Sequence, residues 1–241
     1  MQKAYKKYFW LFLMPTLIAF TVFFIIPFVL GIGLSFCKFT TISNAKFIGI
    51  GNYIKAFSNP DFIDAFIFTV KFTLVSVITV NIFAFSLAYI LTRGIKGTNL
   101  YRTVFFMPNL IGGIVLGYMM IIYIAGIQNI PGELVEASKI DGANKVQSLF
   151  KITIPMIMSS ITICLFLTLT NSFKLFDQNL ALTAGGPGKQ TAMLALDINN
   201  TFYNRNGWEG VGQAKAVMFF IIVGIIALVQ LYFTRKKEVE S

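Results

Sequence analysis

Histidine is absent from this 241-residue sequence, and cysteine occurs only twice, at Cys37 and Cys164. These two residue types supply many metal sites in proteins, and a disulfide framework needs a larger set of cysteines. The lack of histidine also removes the commonest general acid and base. We therefore predict no metal site, no disulfide framework and no cofactor, and an enzyme embedded in a membrane has little support.

Charged residues are scarce as well, at 12% of the sequence, whereas hydrophobic residues make up 56% and include 26 phenylalanines. Soluble globular domains carry about 25% charged residues. Inside a bilayer, backbone groups must find their hydrogen bonds within the protein, which favours helices. The composition therefore predicts an all-α, polytopic transmembrane helical bundle, with residues 1–241 forming a single transmembrane domain.

The net charge of +10 would suggest a nucleic-acid partner in a soluble protein. Here much of this charge lies in short clusters at the ends of apolar runs, such as Lys3, Lys6 and Lys7 before the first run. Clusters of this kind mark the cytoplasmic ends of membrane spans. We therefore predict that the N-terminus is cytoplasmic and that the protein has no nucleic-acid partner.

Five uncharged runs approach or exceed the length of a membrane span, which needs about 20 apolar residues. They comprise residues 9–37, 72–92, 103–130, 152–173 and 216–234. The first run is too long for the apolar part of a signal peptide, so we interpret it as a retained anchor, tilted or kinked at Pro15 or Pro27. The polar segments at about 38–64 and 178–215 are predicted to be exterior loops.

A polar island at residues 131–155 separates two of the most apolar parts of the sequence. Pro131 suits the first position of a helix, and two glutamates follow where the helix dipole favours negative charge. Gly142 is expected to end this helix. A second short helix, with an apolar face at residues 146–150, would then run to Pro155. The pattern indicates a surface that something outside the membrane binds; an ordinary amphipathic loop is the alternative.

This island resembles the signature E-A-A-x3-G-x9-I-x-L-P of bacterial ATP-binding-cassette (ABC) importer permeases. Ser138 stands in place of the second alanine and Ile154 in place of the leucine. In that family the segment is the cytoplasmic coupling helix, which docks in a cleft of the ATPase subunit. The resemblance thus implies a coupling role for six residues, with Glu136 placed to pair with a basic group of the ATPase. They are Glu136, Ala137, Ser138, Asp141, Gly142 and Pro155. We call residues 131–155 the coupling island.

Three further segments resemble sugar-type members of the same family. Residues 47–53 are similar to the exterior F-x-G-x-x-N-Y loop, residues 105–109 to the F-x-P start of the third span, and residues 182–187 to the L-T-x-G-G-P motif. The resemblance therefore covers nearly the whole chain. It implies the first permease subunit of a carbohydrate importer of the maltose-permease type, a multi-pass protein of the bacterial plasma or inner membrane.

The resemblance also implies partners: a dimer of ABC ATPase subunits, a second permease subunit, an extracytoplasmic sugar-binding protein and membrane lipid. ATP would be bound by the ATPase rather than by this chain. The step from Gly188 to Lys189 does not contradict this. A phosphate-binding loop would need glycine at position 183 and serine or threonine at position 190, where the sequence has Thr183 and Gln190.

Polar side chains near the ends of spans are candidates for a sugar pathway, because ionisable groups at membrane depth are costly and usually face one. Asn171, Lys174 and Asp177 cluster at the end of the fourth run. If the helix continued past Phe173, Lys174 and Asp177 could instead form a structural ion pair. Asn81, inside the second run, is interpreted as an interhelical hydrogen-bonding residue rather than a ligand group.

A secondary transporter or channel driven by an ion gradient is the alternative function. Such a protein needs ionisable groups that relay protons or sodium ions through its spans. The uncharged cores of the first, third and fifth runs supply none. The sequence therefore favours an importer that takes its energy from a separate ATPase.

The five runs conflict with the basic clusters. If the N-terminus is cytoplasmic and the run 103–130 crosses once, the coupling island and the basic residues 235–237 would both lie outside. Two spans would need about 40 residues and a turn, which this run lacks. In the family this region holds two spans. We therefore predict an internal deletion near Gly117 to Met119, in a chain that either retains function or is a shortened, non-transporting homologue.

Overall fold

Helices make up nearly all of the structure, a computed structural model that describes residues 2–94, 97–112 and 115–236. Within these ranges the only strands are two short ones. The predicted all-α class is therefore confirmed. The chain divides into two compact units, the first formed by Met1–Ala65 with Gly185–Ile221 and the second by Phe66–Ala184 with Ile222–Ser241.

Thirteen α-helices lie within the described residues. They are α1 (Gln2–Phe20), α2 (Ile26–Ser35), α3 (Gly51–Phe57), α4 (Pro60–Leu91), α5 (Thr98–Gly112), α6 (Val115–Gln128), α7 (Gly132–Ile140), α8 (Lys145–Ser148), α9 (Ile154–Met156), α10 (Met158–Phe173), α11 (Asp177–Leu182), α12 (Leu194–Tyr203) and α13 (Glu209–Arg235).

Three helical stretches of the described chain are long and apolar enough to cross a membrane by themselves: Phe12–Ser35, Pro60–Leu91 and Glu209–Arg235. Two pairs of shorter helices, bent by 67° and 71°, would raise the number to five if each pair counted as one span. The helices α4 and α13 both begin before the predicted runs. Two charged residues in these extra turns, Asp61 and Lys215, form contacts described below, which apolarity alone does not reveal.

The first span is a broken helix. One turn of π-helix, Thr21–Ile25, joins α1 to α2. Pro27 lies in the first turn of α2, where it has no N–H to donate and its ring would crowd a carbonyl of the preceding turn in a regular helix. The wider π turn relieves that conflict. The helix is thus distorted before Pro27, one of the two predicted positions, whereas Pro15 lies within α1.

The segment between α2 and α4 is ordered rather than an open loop. It contains the antiparallel strands β1 (Cys37–Lys38) and β2 (Lys46–Phe47), followed by α3. Gly49, the glycine of the F-x-G-x-x-N-Y pattern, has a φ of 61°, which side chains other than glycine rarely adopt. The motif therefore supplies the turn that leads into α3.

Asn52 fastens this segment to the end of α2. Its side-chain amide donates to the carbonyl oxygens of Ser35 and Cys37, each at 2.8 Å. The hydroxyls of Tyr53 and Ser35 lie 2.7 Å apart. The last carbonyls of a helix have no partner within it, so they need such donors. The asparagine of the motif therefore caps the first span, and the tyrosine bonds to the side chain of its last residue.

The second unit is built around α6, which packs against α5 and α10. Its buried side chains form one apolar core with small residues of neighbouring helices. This core contains Met119, Met120, Tyr123 and Ile124 of α6, Ala84, Ala88 and Leu91 of α4, and Ile157 and Cys164 at α10. Small residues let helices approach closely, and such packing holds membrane helices together.

A polar contact also joins three helices of this unit. The Tyr123 hydroxyl donates to Oδ1 of Asn81 at 2.7 Å, and the Asn81 amide donates to Oγ1 of Thr168 at 3.3 Å. The same amide donates to the carbonyl of Val77 at 2.8 Å. Because these bonds link α4, α6 and α10, the interhelical role predicted for Asn81 is confirmed.

Two predicted spans are interrupted. The described parts of the run 103–130 form α5, which ends at Gly112, and α6, which begins at Val115 and contains the predicted junction at Gly117 to Met119. The run 152–173 is broken at Ile157, whose φ of −98° and ψ of 18° separate α9 from α10. The helices on the two sides of Ile157 meet at 71°. Both runs are uniformly apolar, so hydropathy gave no sign of either break.

Candidate functional site

The first helix of the coupling island ends as the sequence predicts. Pro131 is the N-terminal cap of α7 rather than its first residue. At the other end, the N–H of Gly142 donates to the Lys139 carbonyl at 3.1 Å, and that of Ala143 donates to the Ser138 carbonyl at 2.9 Å. This pair of bonds is the Schellman motif. Gly142 has a φ of 78°, so the turn requires glycine.

The second piece of the island starts with a capping box. Oδ1 of Asn144 accepts from the N–H of Gln147, and Oε1 of Gln147 accepts from the N–H of Asn144, both at 2.8 Å. These bonds satisfy N–H groups that a helix start leaves unpaired. A π turn, Leu149–Thr153, then leads to Pro155. Both pieces are thus held by their own hydrogen bonds.

The outer surface of the coupling island combines charge with exposed apolar side chains. Glu136 is exposed on α7. Ile140 is 86% exposed, Val146 61% and Phe150 63%. Apolar side chains exposed in a polar, charged segment are typical of a protein interaction site rather than of a lipid-facing span. The island therefore offers a docking surface with charged and apolar parts.

The six predicted coupling residues take different positions. Four are exposed: Glu136, Ala137, Asp141 and Gly142. Pro155 is half-buried after the π turn. Ser138 is buried, and its hydroxyl donates to the Val135 carbonyl at 2.8 Å and lies 3.4 Å from the hydroxyl of Ser148. Ser138 therefore joins α7 to α8 instead of facing outward.

The three candidate pathway residues lie on separate pieces of the second unit. Asn171 is exposed in the last turn of α10, where its amide donates to the Leu167 carbonyl of the same helix at 2.8 Å. Lys174 caps the end of α10, and Asp177 begins α11. Both are exposed, and no ion pair joins these two described residues. Because α10 ends at Phe173, the structural ion pair between Lys174 and Asp177, which required the helix to continue, does not form.

A buried ion pair in the first unit escaped the sequence analysis. Nζ of Lys215 on α13 donates to Oδ2 of Asp197 at 2.7 Å and to Oγ1 of Thr201 at 2.8 Å. The Lys215 side chain is 0% exposed and that of Asp197 is 8% exposed. The same Nζ lies 5.2 Å from the centre of the Phe62 ring, a favourable position for a cation. No local pattern relates residues 197 and 215.

A second, more exposed group of charges surrounds Asp61 in the first turn of α4. Its Oδ2 accepts from Nζ of Lys189 at 2.8 Å and from Nη2 of Arg205 at 2.5 Å. The Arg205 guanidinium also lies 5.2 Å from the centre of the Trp208 ring. These contacts tie the start of α4 to the segments on either side of α12. They explain how α4 can begin with a charged turn.

The L-T-x-G-G-P segment and the residues after it form a turn with several positive φ angles, including 49° at Ala184 and 68° at Lys189. Gly185 and Gly188 have φ angles of 83° and 56°. A Cβ added at Gly185 would lie 3.1 Å from the Cβ of Ala192. Thr191 closes the segment, since its hydroxyl donates to the Gly186 carbonyl at 2.6 Å. The motif is thus a compact turn, and nothing in it has the form of a phosphate-binding loop.

Residues 8–239 match the family described as "Binding-protein-dependent transport system inner membrane component". The match spans nearly the whole described chain. The chain belongs to this family. It is therefore a multi-pass membrane permease.

Two relatives match over almost their full lengths. The "Probable starch degradation products transport system permease protein AmyD" of Thermoanaerobacterium thermosulfurigenes is 39% identical, with 97% of this chain and 96% of the relative covered. The "Multiple sugar-binding transport system permease protein MsmF" of Streptococcus mutans is 28% identical, with 99% of each covered. The AmyD alignment has 280 positions, 39 more than the 241 residues here. This permease therefore lacks at least that many positions of the alignment.

A solved structure shares the fold. The crystal structure of a bacterial ABC transporter involved in the import of the acidic polysaccharide alginate contains a chain that matches with a TM-score of 0.80 and 19% identity. The match covers 98% of each chain. A second alginate transporter structure, in complex with a periplasmic protein bound to an alginate pentasaccharide, matches with a TM-score of 0.72 and 21% identity. The permease fold is thus retained despite the missing positions.

We expect Lys215→Met to destabilise the permease by about 3–5 kcal/mol, because it leaves the Asp197 carboxylate buried without its partner. Lys189→Met is the matched control. The Lys189 side chain is 62% exposed, and an exposed ion pair contributes at most about 1 kcal/mol. Heat-induced unfolding of the purified protein in detergent measures the stability of both variants.

The double variant Asp197→Leu with Lys215→Met is expected to be more stable than Lys215→Met alone, because it leaves no buried charge unpaired. Equal stability of Lys215→Met and Lys189→Met would contradict the structural role of the buried pair.

Proposed function

We propose that this permease is the transmembrane subunit of an ATP-binding-cassette importer that carries oligosaccharides into a bacterial cell. The observation that carries the proposal is the coupling island, two capped helices that expose Glu136 together with Ile140, Val146 and Phe150. Lipid does not need such a surface, whereas a separate ATPase subunit does. The chain itself binds no ATP and no cofactor in this proposal, and it catalyses no reaction.

The substrate class follows from the relatives. AmyD is named for starch degradation products, and MsmF for multiple sugars. The structural neighbour belongs to a transporter of a polysaccharide. We infer that this permease carries short glucose oligomers or similar sugars, with malto-oligosaccharides as the first to test. An ion-gradient transporter is not favoured by any contact in the described residues.

The proposed assembly contains four kinds of component. A dimer of ATPase subunits binds the coupling island from the cytoplasm, and a second permease subunit completes the pathway through the lipid bilayer. A sugar-binding protein delivers the substrate from outside, as the binding protein in the second alginate transporter structure suggests. The permease lies in the plasma or inner membrane, with its N-terminus and coupling island in the cytoplasm.

The structure suggests how motion would pass from the ATPase to the spans. The island is stiff, because the Schellman turn, the capping box and Ser138 tie its two helices together. It is joined to α6 on one side through residues 129–131 and to α10 on the other through Ile157. Those helices touch at Gly126, where an added Cβ would lie 3.0 Å from the Cβ of Ser160. Movement of the island would therefore tilt α6 and α10 together, as alternating access requires.

The reconstituted complex of this permease with its second permease and ATPase is expected to hydrolyse ATP faster when binding protein and maltotriose are both present. The physical reason is that only the loaded binding protein would favour the state in which the ATPase sites close. Phosphate release measures the rate. Uptake that follows an ion gradient and ignores ATP would refute the importer and favour a secondary transporter.

Two changes in the coupling island should uncouple transport. Glu136→Ala removes the charge that is placed to pair with the ATPase, and Gly142→Leu puts a side chain at a φ of 78°. We expect each to lower sugar uptake by about tenfold or more, equivalent to about 1.4 kcal/mol of lost interaction. Radiolabelled maltotriose uptake by vesicles measures the effect, and immunoblotting checks that each variant stays in the membrane.

Matched controls separate these effects from general damage. Glu133→Ala removes another exposed acid of α7 and should leave uptake unchanged. Gly142→Asn should retain most uptake, because asparagine tolerates the left-handed region. Normal uptake by both Glu136→Ala and Gly142→Leu would rule out this coupling role.

The sugar pathway is assigned to Asn171, Lys174 and Asp177, all exposed at the end of α10 or the start of α11. Alanine at each position is expected to change the uptake rate or the preference among oligosaccharides. Thr79→Ala is the control, since Thr79 is exposed on α4 and its hydroxyl bonds only within that helix. If all three variants behaved like Thr79→Ala, these residues would be structural.

A further inference from the structure

The helices α5 and α6 are each too short to cross a membrane. They contain 15 and 14 residues, which correspond to lengths of about 22 and 21 Å. A hydrocarbon core is about 30 Å thick. α7 does not extend α6, because α7 carries charged residues, whereas the residues 152–157 that precede α10 carry none. Either helix would therefore end inside the bilayer if it started at one surface.

The chain reverses direction between these two helices. A Cβ added at Gly117 of α6 would lie 3.0 Å from the Cα of Phe106 and also against the carbonyl oxygen of Phe105, both in α5. In one continuous helix, residues 105 and 117 would be about 18 Å apart. Their contact requires α6 to run back along α5. Glycine at 117 permits this approach of the two backbones.

The hairpin formed by α5 and α6 is embedded in the second unit. Phe105 of α5 and Leu116 of α6 pack against the core that α4, α6 and α10 share. Further along α6, Tyr123 is buried and bonded to Asn81. The carbonyl of Met119 accepts a weak hydrogen bond from the Cys164 thiol at 3.8 Å. The hairpin is thus inserted among spanning helices and does not lie flat on the surface of the unit.

Basic residues mark the side at which the hairpin begins and ends. Arg93 and Arg102 flank its start, and the lysines of the coupling island follow its end. Such clusters remain on the cytoplasmic side of a membrane. A single crossing would separate the two clusters, and two complete crossings would need more residues than the chain has here. A hairpin that turns inside the bilayer satisfies both conditions.

We propose that α5 and α6 form a re-entrant hairpin that enters the bilayer from the cytoplasm, turns within it and returns to the cytoplasm. The chain then crosses the membrane four times. The crossings are the broken first span, α4, α10 together with the uncharged residues 152–157, and α13. Both termini and the coupling island share the cytoplasmic side. The topology holds whether or not the complex transports sugar.

The lengths of the alignments agree with this arrangement. The AmyD alignment contains 39 positions more than this chain has residues. Loss of the outer parts of two adjacent spans, together with the exterior stretch between them, would leave two short helices that still pack side by side. Because two crossings disappear together, the chain that follows α6 stays on its original side of the membrane.

Single cysteines test the topology in the full-length chain, after Cys37→Ser and Cys164→Ala remove the native thiols. Asn99→Cys and Asn129→Cys place exposed thiols just inside α5 and just beyond α6, and Lys55→Cys places one on the predicted exterior segment. A membrane-impermeant maleimide should label positions 99 and 129 only in inverted vesicles. It should label position 55 only in right-side-out vesicles.

Val115→Cys distinguishes the re-entrant hairpin from two full crossings. This position, at the start of α6 and therefore at the end of the hairpin far from positions 99 and 129, should be labelled only after detergent is added. Labelling from outside would show that the hairpin reaches the exterior. Labelling of position 129 from outside would show a single crossing. Either result overturns the proposal.

Trypsin digestion provides a measurement without substitutions. Lys139 and Lys145 are exposed in the coupling island, so the unmodified permease, produced without its ATPase, should be cut there in inverted vesicles and protected in right-side-out vesicles. Cleavage at these lysines from the outside would also overturn the proposal.

Discussion

The thickness of the hydrocarbon layer is the constraint on which the rest of this structure depends. A backbone that crosses about 30 Å without water must be helical, and the helix must be long enough to carry its polar ends to the two surfaces. α4 and α13 meet this requirement outright, and the first span meets it with a π turn before Pro27. α5 and α6 are too short to meet it, and they pack side by side at Gly117.

A second consequence of the same environment is that specific partners stabilise polar groups buried between helices. In the second unit, Tyr123 and Asn81 bond to each other between α4 and α6. In the first unit, Lys215 and Asp197 form a pair that the solvent does not reach. Such bonds contribute modestly when present, but leaving one partner alone is costly. They therefore specify which helices pack together more than they add to the stability of any one helix.

Local rules predicted the parts of the structure that local contacts determine. The glycine turn at Gly142 and the role of Asn81 followed from residue type and neighbourhood alone. The pairing of Lys215 with Asp197 did not, because it depends on how α12 meets α13. The break at Ile157 lies two residues beyond Pro155, where a break or kink was predicted, and α6 contains the predicted junction at Gly117 to Met119. Their exact positions were not predicted, since apolar residues on both sides give hydropathy no contrast. The sequence thus predicted the two helices and the glycine turn of the coupling island and the class of the fold. It did not predict which helices contact one another.

If the missing positions fall between α5 and α6, as proposed, a permease can lose residues and keep its coupling surface. Membrane sidedness downstream of a deletion depends only on whether an even or odd number of crossings is removed. Removing two adjacent crossings together preserves the side of α7 to α13, whereas removing one would move the coupling island away from the ATPase. The retained parts of α5 and α6 are also those that make the closest contacts, with Gly117 against Phe106 and Gly126 against Ser160. In the proposed arrangement, the contacts of α6 with α5 and α10 therefore survive, and the lost residues would lie on the side of the membrane away from the coupling island.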